Sequence, residues 1–404
     1  MSKPLTFLCV SCYFKGGEFL RSCKNQGNTV YLLTHNKLEH KSWPREAVDE
    51  FFYMDDVSNT PENIGNLING VAWLMRSRKI DVIVALDDFD VEKVAAMREE
   101  FRIPGMGQTT ARYFRDKLAM RMQAHEAGIP VPAFTGLFSD SDINEFTDRV
   151  PAPWFLKPRS EASAAGIKKM ENKDQLWAKL HDLGDERHRF LLEQFCPGDV
   201  YHVDSLSFDG KVQFAQASKY LTTPYEVAHG AGVFRSMTCD PKSDESKKLH
   251  KANQDVMTAF GMRHSASHTE FIHNKDDGKF YFLETSCRVG GANLAEMVEA
   301  ASGINLWAEW AKIETAAKNK EKYKVKAKKQ LTAGILVSLA RMQHPDQSVF
   351  SAEEVVWKMQ KDHHVGCILQ SENRDRVREL LDEYAEVVFR DFHASAPMPD
   401  KPVD

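Results

Sequence analysis

The chain has 404 residues, a formal net charge of −5 and 27% charged residues. That is length enough for several domains, and a charge balance that excludes a general nucleic-acid binder. Its 42% hydrophobic content is ordinary for a globular protein, and no apolar run approaches the roughly 18 residues of a membrane span.

Leu5–Val10 is too short for a signal-peptide core and reads as a buried first strand. Cys9-Val-Ser-Cys12 lies at its end. It lacks a second pair at zinc spacing, so it reads as packing. The seven scattered cysteines fit a reducing compartment, and a cytoplasmic location is expected. A helix over 16–25, a strand over 29–33, a helix over 64–78, a strand over 80–86 and a helix over 91–101 follow in turn. Strands alternating with helices predict a parallel sheet covered on both faces. Asp87-Asp88 would then sit at the carboxyl end of a strand, where open α/β sheets bind ligands.

An amphipathic helix is predicted from Arg112 to Glu126, ending at Gly128. Next come a strand over 154–157, a small-residue loop over 160–166, a helix over 173–183 and a strand over 190–195. Strands over 200–208 and 212–218 flank Asp209-Gly210, and a helix covers 243–260. One long helix is expected over 293–313. The basic run from Lys318 to Lys329 reads as a solvated linker. Segments 331–339, 363–370 and 375–392 then predict a small α/β closing unit.

The most informative segment is a predicted hairpin. Its strands hold Glu270 and Glu284, and Asn274-Lys275-Asp276-Asp277-Gly278 supplies the turn. Pairing symmetric about Asp277 sets the two glutamates opposite each other. Cβ atoms of such pairs lie roughly 5 Å apart. Two carboxylates at that separation repel by about 3 kcal/mol at an effective dielectric near 20. A cation between them removes the conflict. Alternation puts Ser286 and Arg288 on the same face, and Gly290-Gly291 would open a helix.

Three further features precede the hairpin: Lys117; Lys157 with the following Ser160–Gly166 loop; and Glu193 in Leu191-Leu192-Glu193-Gln194-Phe195. In this order, ending in Glu-x-Ser-x-Arg-x-Gly-Gly, the chain resembles the ATP-grasp superfamily of carboxylate–amine (or thiol) ligases from its first strand to about residue 313. The resemblance implies α/β and α+β architecture. A Rossmann-like pre-ATP-grasp domain (1–113) would precede two ATP-grasp subdomains (114–190, with a phosphate-covering loop, and 191–315, with the metal site), then the α/β unit (316–404).

It also implies roles. Lys117, Lys157 and the loop residues Ser160, Ser163 and Gly166 would contact ATP phosphates. The family usually has more glycine in that loop than Ala162, Ala164 and Ala165 allow. Glu193, Gln194 and Phe195 would form the adenine hinge. The family's ribose acid falls at Val200, with Asp199 adjacent as a substitute. Glu270, Glu284 and Ser286 would bind Mg2+, or Mn2+ in its place; Ser286 stands where Asn is usual. Arg288, Gly290 and Gly291 would stabilise the transferring phosphoryl group. His268 reads as a carboxylate partner.

The expected reaction is ATP-dependent activation of a carboxylate as an acyl phosphate, then capture by an amine. The expected partners are small-molecule carboxylate and amine substrates, without nucleic acid or membrane, and with a homodimer in view. The alternatives are a bicarbonate-activating carboxylase-type enzyme, a weakly catalytic nucleotide-binding protein and, least, a two-carboxylate hydrolase. By position alone, Asp87, Asp88, Lys219, Tyr220, His229, Arg235 and the segment Tyr201–Asp204 are candidates for the acceptor pocket.

Overall fold

Three sheets carry the chain in a computed structural model that describes residues 3–161, 165–227 and 232–394. The first is built from β1 (Thr6–Ser11), α1 (Gly17–Asn25), β2 (Thr29–His35), β3 (Glu50–Met54), α2 (Pro61–Leu74), β4 (Val82–Ala85) and α3 (Val91–Glu100). Its strands are parallel in the order β3-β2-β1-β4. β4 is buried at every position, so it reads in sequence as an unbroken apolar run.

The helix expected over 112–126 is two helices, α4 (Gln108–Arg112) and α5 (Lys117–Glu126). Asp116 breaks the run. It leaves helical geometry to accept hydrogen bonds from Leu118 N–H at 3.0 Å and Ala119 N–H at 3.3 Å, capping α5. Lys117 thereby becomes the first residue of a helix.

The second sheet holds β5 (Phe134–Gly136), α6 (Asp140–Arg149), β6 (Trp154–Pro158), β7 (Lys168–Met170), α7 (Lys173–Leu183) and β8 (Phe190–Gln194), antiparallel in the order β5-β8-β6-β7. The third uses β9 (Gly198–Phe208), β10 (Lys211–Thr222), the single turn α8 (Pro224–Glu226), β11 (Phe234–Thr238), α9 (Asp244–Ala259), β12 (Ser265–Asn274) and β13 (Phe280–Ser286). It continues through α10 (Leu294–Ser302), α11 (Leu306–Asn319), β14 (Thr332–Leu339), β15 (Val355–Lys358), β16 (His364–Ser371) and α12 (Arg374–Asp391). Its eight strands run antiparallel in the order β13-β12-β9-β10-β11-β14-β16-β15. The closing segment thus adds its strands to this sheet through β11–β14 pairing.

The long helix expected over 293–313 is also divided. Gly303, at φ 72°, ends α10 in the left-handed region, and Asn305 caps α11 through Ala308 N–H at 2.9 Å. The break redirects α11 onto α1, where Trp310 meets Phe19 edge-on with centroids 5.0 Å apart. Both rings are essentially buried, and each such burial is worth roughly 2 kcal/mol. Gly290-Gly291 does not open a helix directly; α10 begins at Leu294, after Asn293 at φ 58°.

All seven cysteines are free, and Cys9 and Cys12 are buried in the core. No helix among the described residues is long and apolar enough to cross a membrane.

Candidate active site

Glu270 of β12 lies opposite Glu284 of β13. Nearer the turn the pairs are Phe271–Phe282, Ile272–Tyr281 and His273–Phe280, so the hairpin centres between Asp276 and Asp277 rather than on Asp277. One extra residue, Leu283, restores the opposition of the glutamates. This bulge also turns the Leu283 carbonyl toward the Arg121 guanidinium, which donates to it. The hairpin forms one wall of a cleft of about 820 Å³ between the second and third sheets, with Asp88 and Arg115 from the amino-terminal part at its edge. That volume suits a nucleotide-sized ligand.

The carboxylates of the cleft divide by environment. Glu193 is 1% exposed. Its oxygens are taken by Lys157 Nζ at 2.5 Å and by Arg121 Nε at 2.6 Å. Burial pushes its pKa up, but Arg121 and Lys157 outweigh burial and hold it below the usual carboxylate range. Glu193 thus neutralises and fixes two cations, and with Gln194 and Phe195 it lines the cleft. Phe195 N–H is likewise engaged, donating to the Pro153 carbonyl at 3.1 Å. Around this point the cleft is apolar, lined by Phe155, Phe195, Val200, Ile272 and Leu283. Gln194 lines it as well.

Glu284 is more open, with 32% of its side chain exposed, and pairs with Lys117 Nζ at 2.6 Å. Burial pushes its pKa up; Lys117, with Lys157 and Arg121 behind it, brings it below normal. Lys117 Nζ also donates to the Glu161 carbonyl at 2.7 Å. Arg115 reaches the Ser160 carbonyl at 2.5 Å, and Arg159 Nε reaches Asp116 at 2.9 Å. The loop after β6 is thus tied to the start of α5. Glu161, Ala165 and Ile167 of that loop line the cleft, whereas Ser160 and Gly166 do not. Gly166, at φ 71°, packs where a Cβ would meet Pro158 at 2.8 Å. Ser163 and its flanking alanines Ala162 and Ala164 lie outside the described residues, as does His229.

Glu270 accepts from Tyr220 Oη at 2.7 Å and lies 3.5 Å from His268 Nε2. The partner of His268 on the other side is Asp204, at 2.9 Å from Nδ1, and Asp204 also bonds His202 Nδ1 at 2.7 Å. Register explains the cluster: His268 opposes Asp204, and Glu270 opposes His202. Burial opposes charge on His268, but Asp204 and Glu270 raise its pKa to about 10, so it is an imidazolium at neutral pH. Asp204 falls well below the usual carboxylate range: burial opposes its charge, and His268 and His202 more than compensate. Donor atoms of His202, Asp204 and His268 lie within 4.8 Å of one another. Both Asp204 oxygens and His202 Nε2, which meets Ser236 at 2.7 Å, are already engaged in hydrogen bonds, so the trio is a closed network. Gly290 packs against it; a Cβ there would meet Asp204 Oδ1 at 2.7 Å, and Gly291 rather than Gly290 lines the cleft.

Arg288 is partly buried, with 14% of its side chain exposed. Its Nε donates to Asp88 Oδ2 at 2.8 Å, joining the β4 end of the first sheet to the third. Asp88 is held below its usual pKa: burial acts against this, and Arg288, Arg115 and Lys15 prevail. Asp87, by contrast, pairs with Lys15 at 2.5 Å. Asp199 does not reach the cleft: its carboxylate bonds Lys219 at 2.8 Å, outside the lining, while Val200 faces in. Strand alternation produces both facts. Arg235 pairs with Asp382 at 2.5 Å and also lies outside the lining.

Four buried atoms of the cleft lining have no hydrogen-bond partner among the described residues: Asp88 Oδ1, Arg115 Nε, Glu161 Oε2 and Ser286 Oγ. Such atoms are rare in folded proteins, and gathered in one cleft they mark where a polar ligand makes its bonds. Ser286 Oγ beside two opposed carboxylates fits a hard divalent cation, which takes oxygen ligands. Carboxylates in the lining roughly balance its cations. A polyphosphate therefore gains little attraction unless divalent ions come with it.

No family model matches the chain. It is 26% identical over 298 residues to an L-arginine-specific L-amino acid ligase of Bacillus subtilis, covering 72% of this chain and 70% of that protein. It is 22% identical over 204 residues to a D-alanine–D-alanine ligase of Neisseria gonorrhoeae, covering 50% of this chain and 66% of that enzyme. The crystal structure of an L-amino acid ligase from Bacillus licheniformis superposes with a TM-score of 0.75 at 16% identity, over 97% of this chain and 99% of that one. At that identity the superposition establishes the shared fold.

Proposed function

We infer that this chain, which belongs to the ATP-grasp superfamily as a ligase of the carboxylate–amine type, activates an amino-acid carboxylate as an acyl phosphate and couples it to the amine of a second amino acid. ADP and phosphate are the by-products. The observation that carries the residue assignment is the opposition of Glu270 and Glu284 across one hairpin, with Ser286 Oγ buried and unpartnered beside them. These three residues would hold Mg2+, or Mn2+ by the same oxygen chemistry. When bound, the ion neutralises charge on the phosphates and orients them.

The chain's own residues supply the rest. Lys117 and Lys157 hold phosphate oxygens as compact charges. Lys117, paired with Glu284 at 2.6 Å, would be free to hold phosphate were an ion held by the glutamates. Lys157 stays aimed by Glu193, which Arg121 locks in place. The apolar slot around Phe155, Phe195 and Leu283 takes the purine. The substrate carboxylate oxygen attacks the γ-phosphorus, the bond to the ADP oxygen breaks, and Arg288 stabilises charge on the acyl phosphate. The incoming amine then attacks the acyl carbon, and phosphate leaves. Asp88 Oδ1, buried and unpaired, would receive the ammonium of an amino-acid substrate while Oδ2 holds Arg288.

A coupled ADP-release assay with single and paired amino acids, repeated with hydroxylamine as the nucleophile, tests this reading. Hydroxamate formation with particular amino acids is the expected result. ADP release that depends on bicarbonate alone would replace it with the carboxylase alternative, and tight ATP binding without turnover would replace it with a nucleotide sensor.

A further inference from the structure

Glu270 and Glu284 oppose each other, but Glu270 also ends a run of polar side chains that crosses β11, β10, β9 and β12. Register puts the run on one face of the sheet: Ser236 opposes Tyr220, Ser218 opposes His202, Asp204 opposes His268 and His202 opposes Glu270. Ser236 Oγ lies 2.7 Å from His202 Nε2, and His202 Nδ1 lies 2.7 Å from Asp204 Oδ2. The other oxygen of Asp204 accepts from His268 Nδ1 at 2.9 Å.

The last link bears on Glu270. Its Oε1 accepts from Tyr220 Oη at 2.7 Å. His268 Nε2 lies 3.5 Å from that same oxygen and 3.4 Å from Tyr220 Oη. Tyr220 gives its single proton to Glu270, so His268 Nε2 faces two oxygens and carries a proton of its own. This protonation is assigned from the hydrogen-bond network. Among the described residues Glu270 Oε2 has no hydrogen-bond partner. His202 and Asp204 are completely buried, and a Cβ at Gly290 would meet Asp204 Oδ1 at 2.7 Å and His268 Nδ1 at 3.0 Å. The chain leading to α10 therefore packs directly on the Asp204–His268 pair. Two donors on one oxygen fix the plane of the Glu270 carboxylate. Asp204 balances the charge of His268, so the donor arrives without lowering the attraction of the two glutamates for a cation.

We propose that His268 and Tyr220 are positioning residues for Glu270: seated against Asp204, they hold one carboxylate oxygen so that the other is presented to the divalent cation. The proposal rests on the reading of Glu270 and Glu284 as ligands of that cation, and adds the residues that aim one of them. Hydrogen-bond partners of a ligating carboxylate typically contribute 10- to 100-fold in metal affinity.

The readout is the factor by which Mg2+ tightens ADP binding to the full-length protein, measured by calorimetry with and without the ion. Tyr220→Phe removes only the hydroxyl and should cut this factor about tenfold; His268→Phe should cut it by about 10- to 100-fold. ADP affinity without metal should stay at the wild-type value in both. His268→Gln keeps an N–H donor and should recover most of the loss. Where His268→Phe fails to fold by thermal melting, Tyr220→Phe carries the test, because it acts on the same oxygen. Action through Glu270 has a signature that lost packing lacks. In a Glu270→Ala background, with no carboxylate left to aim, adding Tyr220→Phe should change the factor by less than about twofold. Full additivity there, or a wild-type factor in both Tyr220→Phe and His268→Phe, overturns the positioning role; the metal assignment stands if Glu270→Ala alone lowers the factor. A wild-type factor in Glu270→Ala, or no effect of Mg2+ on the wild type, overturns the metal assignment and the positioning role with it.

Discussion

Two carboxylate neighbourhoods face each other across the cleft. On β8, Glu193 is buried between Lys157 and Arg121, and every oxygen is spoken for. On β12 and β13, Glu270 and Glu284 share a tyrosine, a histidine and one lysine, and Ser286 Oγ beside them has no partner. The first neighbourhood is saturated, and its work is to hold cations still. The second has coordination capacity left over, and that capacity is what a ligand uses. Buried charge alone does not mark a binding site; buried charge with unspent hydrogen-bonding capacity does.

Breaking the saturated side should cost the most. Glu193→Gln strands two buried cations, and a loss of about 3–5 kcal/mol in unfolding free energy is expected, measured by denaturant titration. Glu284→Gln should leave the fold nearly as stable, because its carboxylate is partly exposed and paired once. It should lower kcat about 100- to 1000-fold in ADP release, reported with the magnesium dependence. A Glu284→Gln enzyme with full activity would contradict the metal assignment. Asp88→Asn keeps the shape but removes the charge offered to an ammonium. A rise in amino-acid KM of about tenfold, with ATP KM little changed, is expected. Ser286→Ala removes one neutral oxygen and should weaken apparent magnesium affinity only several-fold.

The smallest effect is in pH dependence. Glu193 titrates below its ordinary value when folded, so its contribution is present above about pH 4.3 and is lost as pH falls through the lower folded value. The melting temperature of Glu193→Gln should therefore fall less steeply than that of the wild type between pH 5 and pH 3.

Much of this second neighbourhood was legible from residue order. Turn residues fixed the hairpin, and strand alternation set Glu270 and Glu284 together, although the bulge at Leu283 moved the centre of the turn. Arg121 escaped notice because it lies inside an amphipathic helix, where an arginine reads as solvated. Its place four residues after Lys117, on the same helix face, was the available signal. His202 and Asp204 share a strand face by alternation, but their link to His268 depends on β9–β12 register, which no local pattern carries. The breaks at Asp116 and Gly303 were hidden by apolar periodicity running through them, though Asp and Gly are the residues that end helices. The pairing of Arg288 could not be read from sequence, because its partner Asp88 is 200 positions away.

The continuous eight-stranded sheet has a practical consequence. Phe234–Met237 of β11 find their outer neighbours only in Gly334–Val337 of β14. A chain truncated after Asn319 would not simply lose a detachable module. It would leave an open, apolar strand flank with donors and acceptors bare, a template on which other copies would stack. Such a truncate is expected to precipitate or form mixed aggregates when expressed, whatever its affinity for nucleotide.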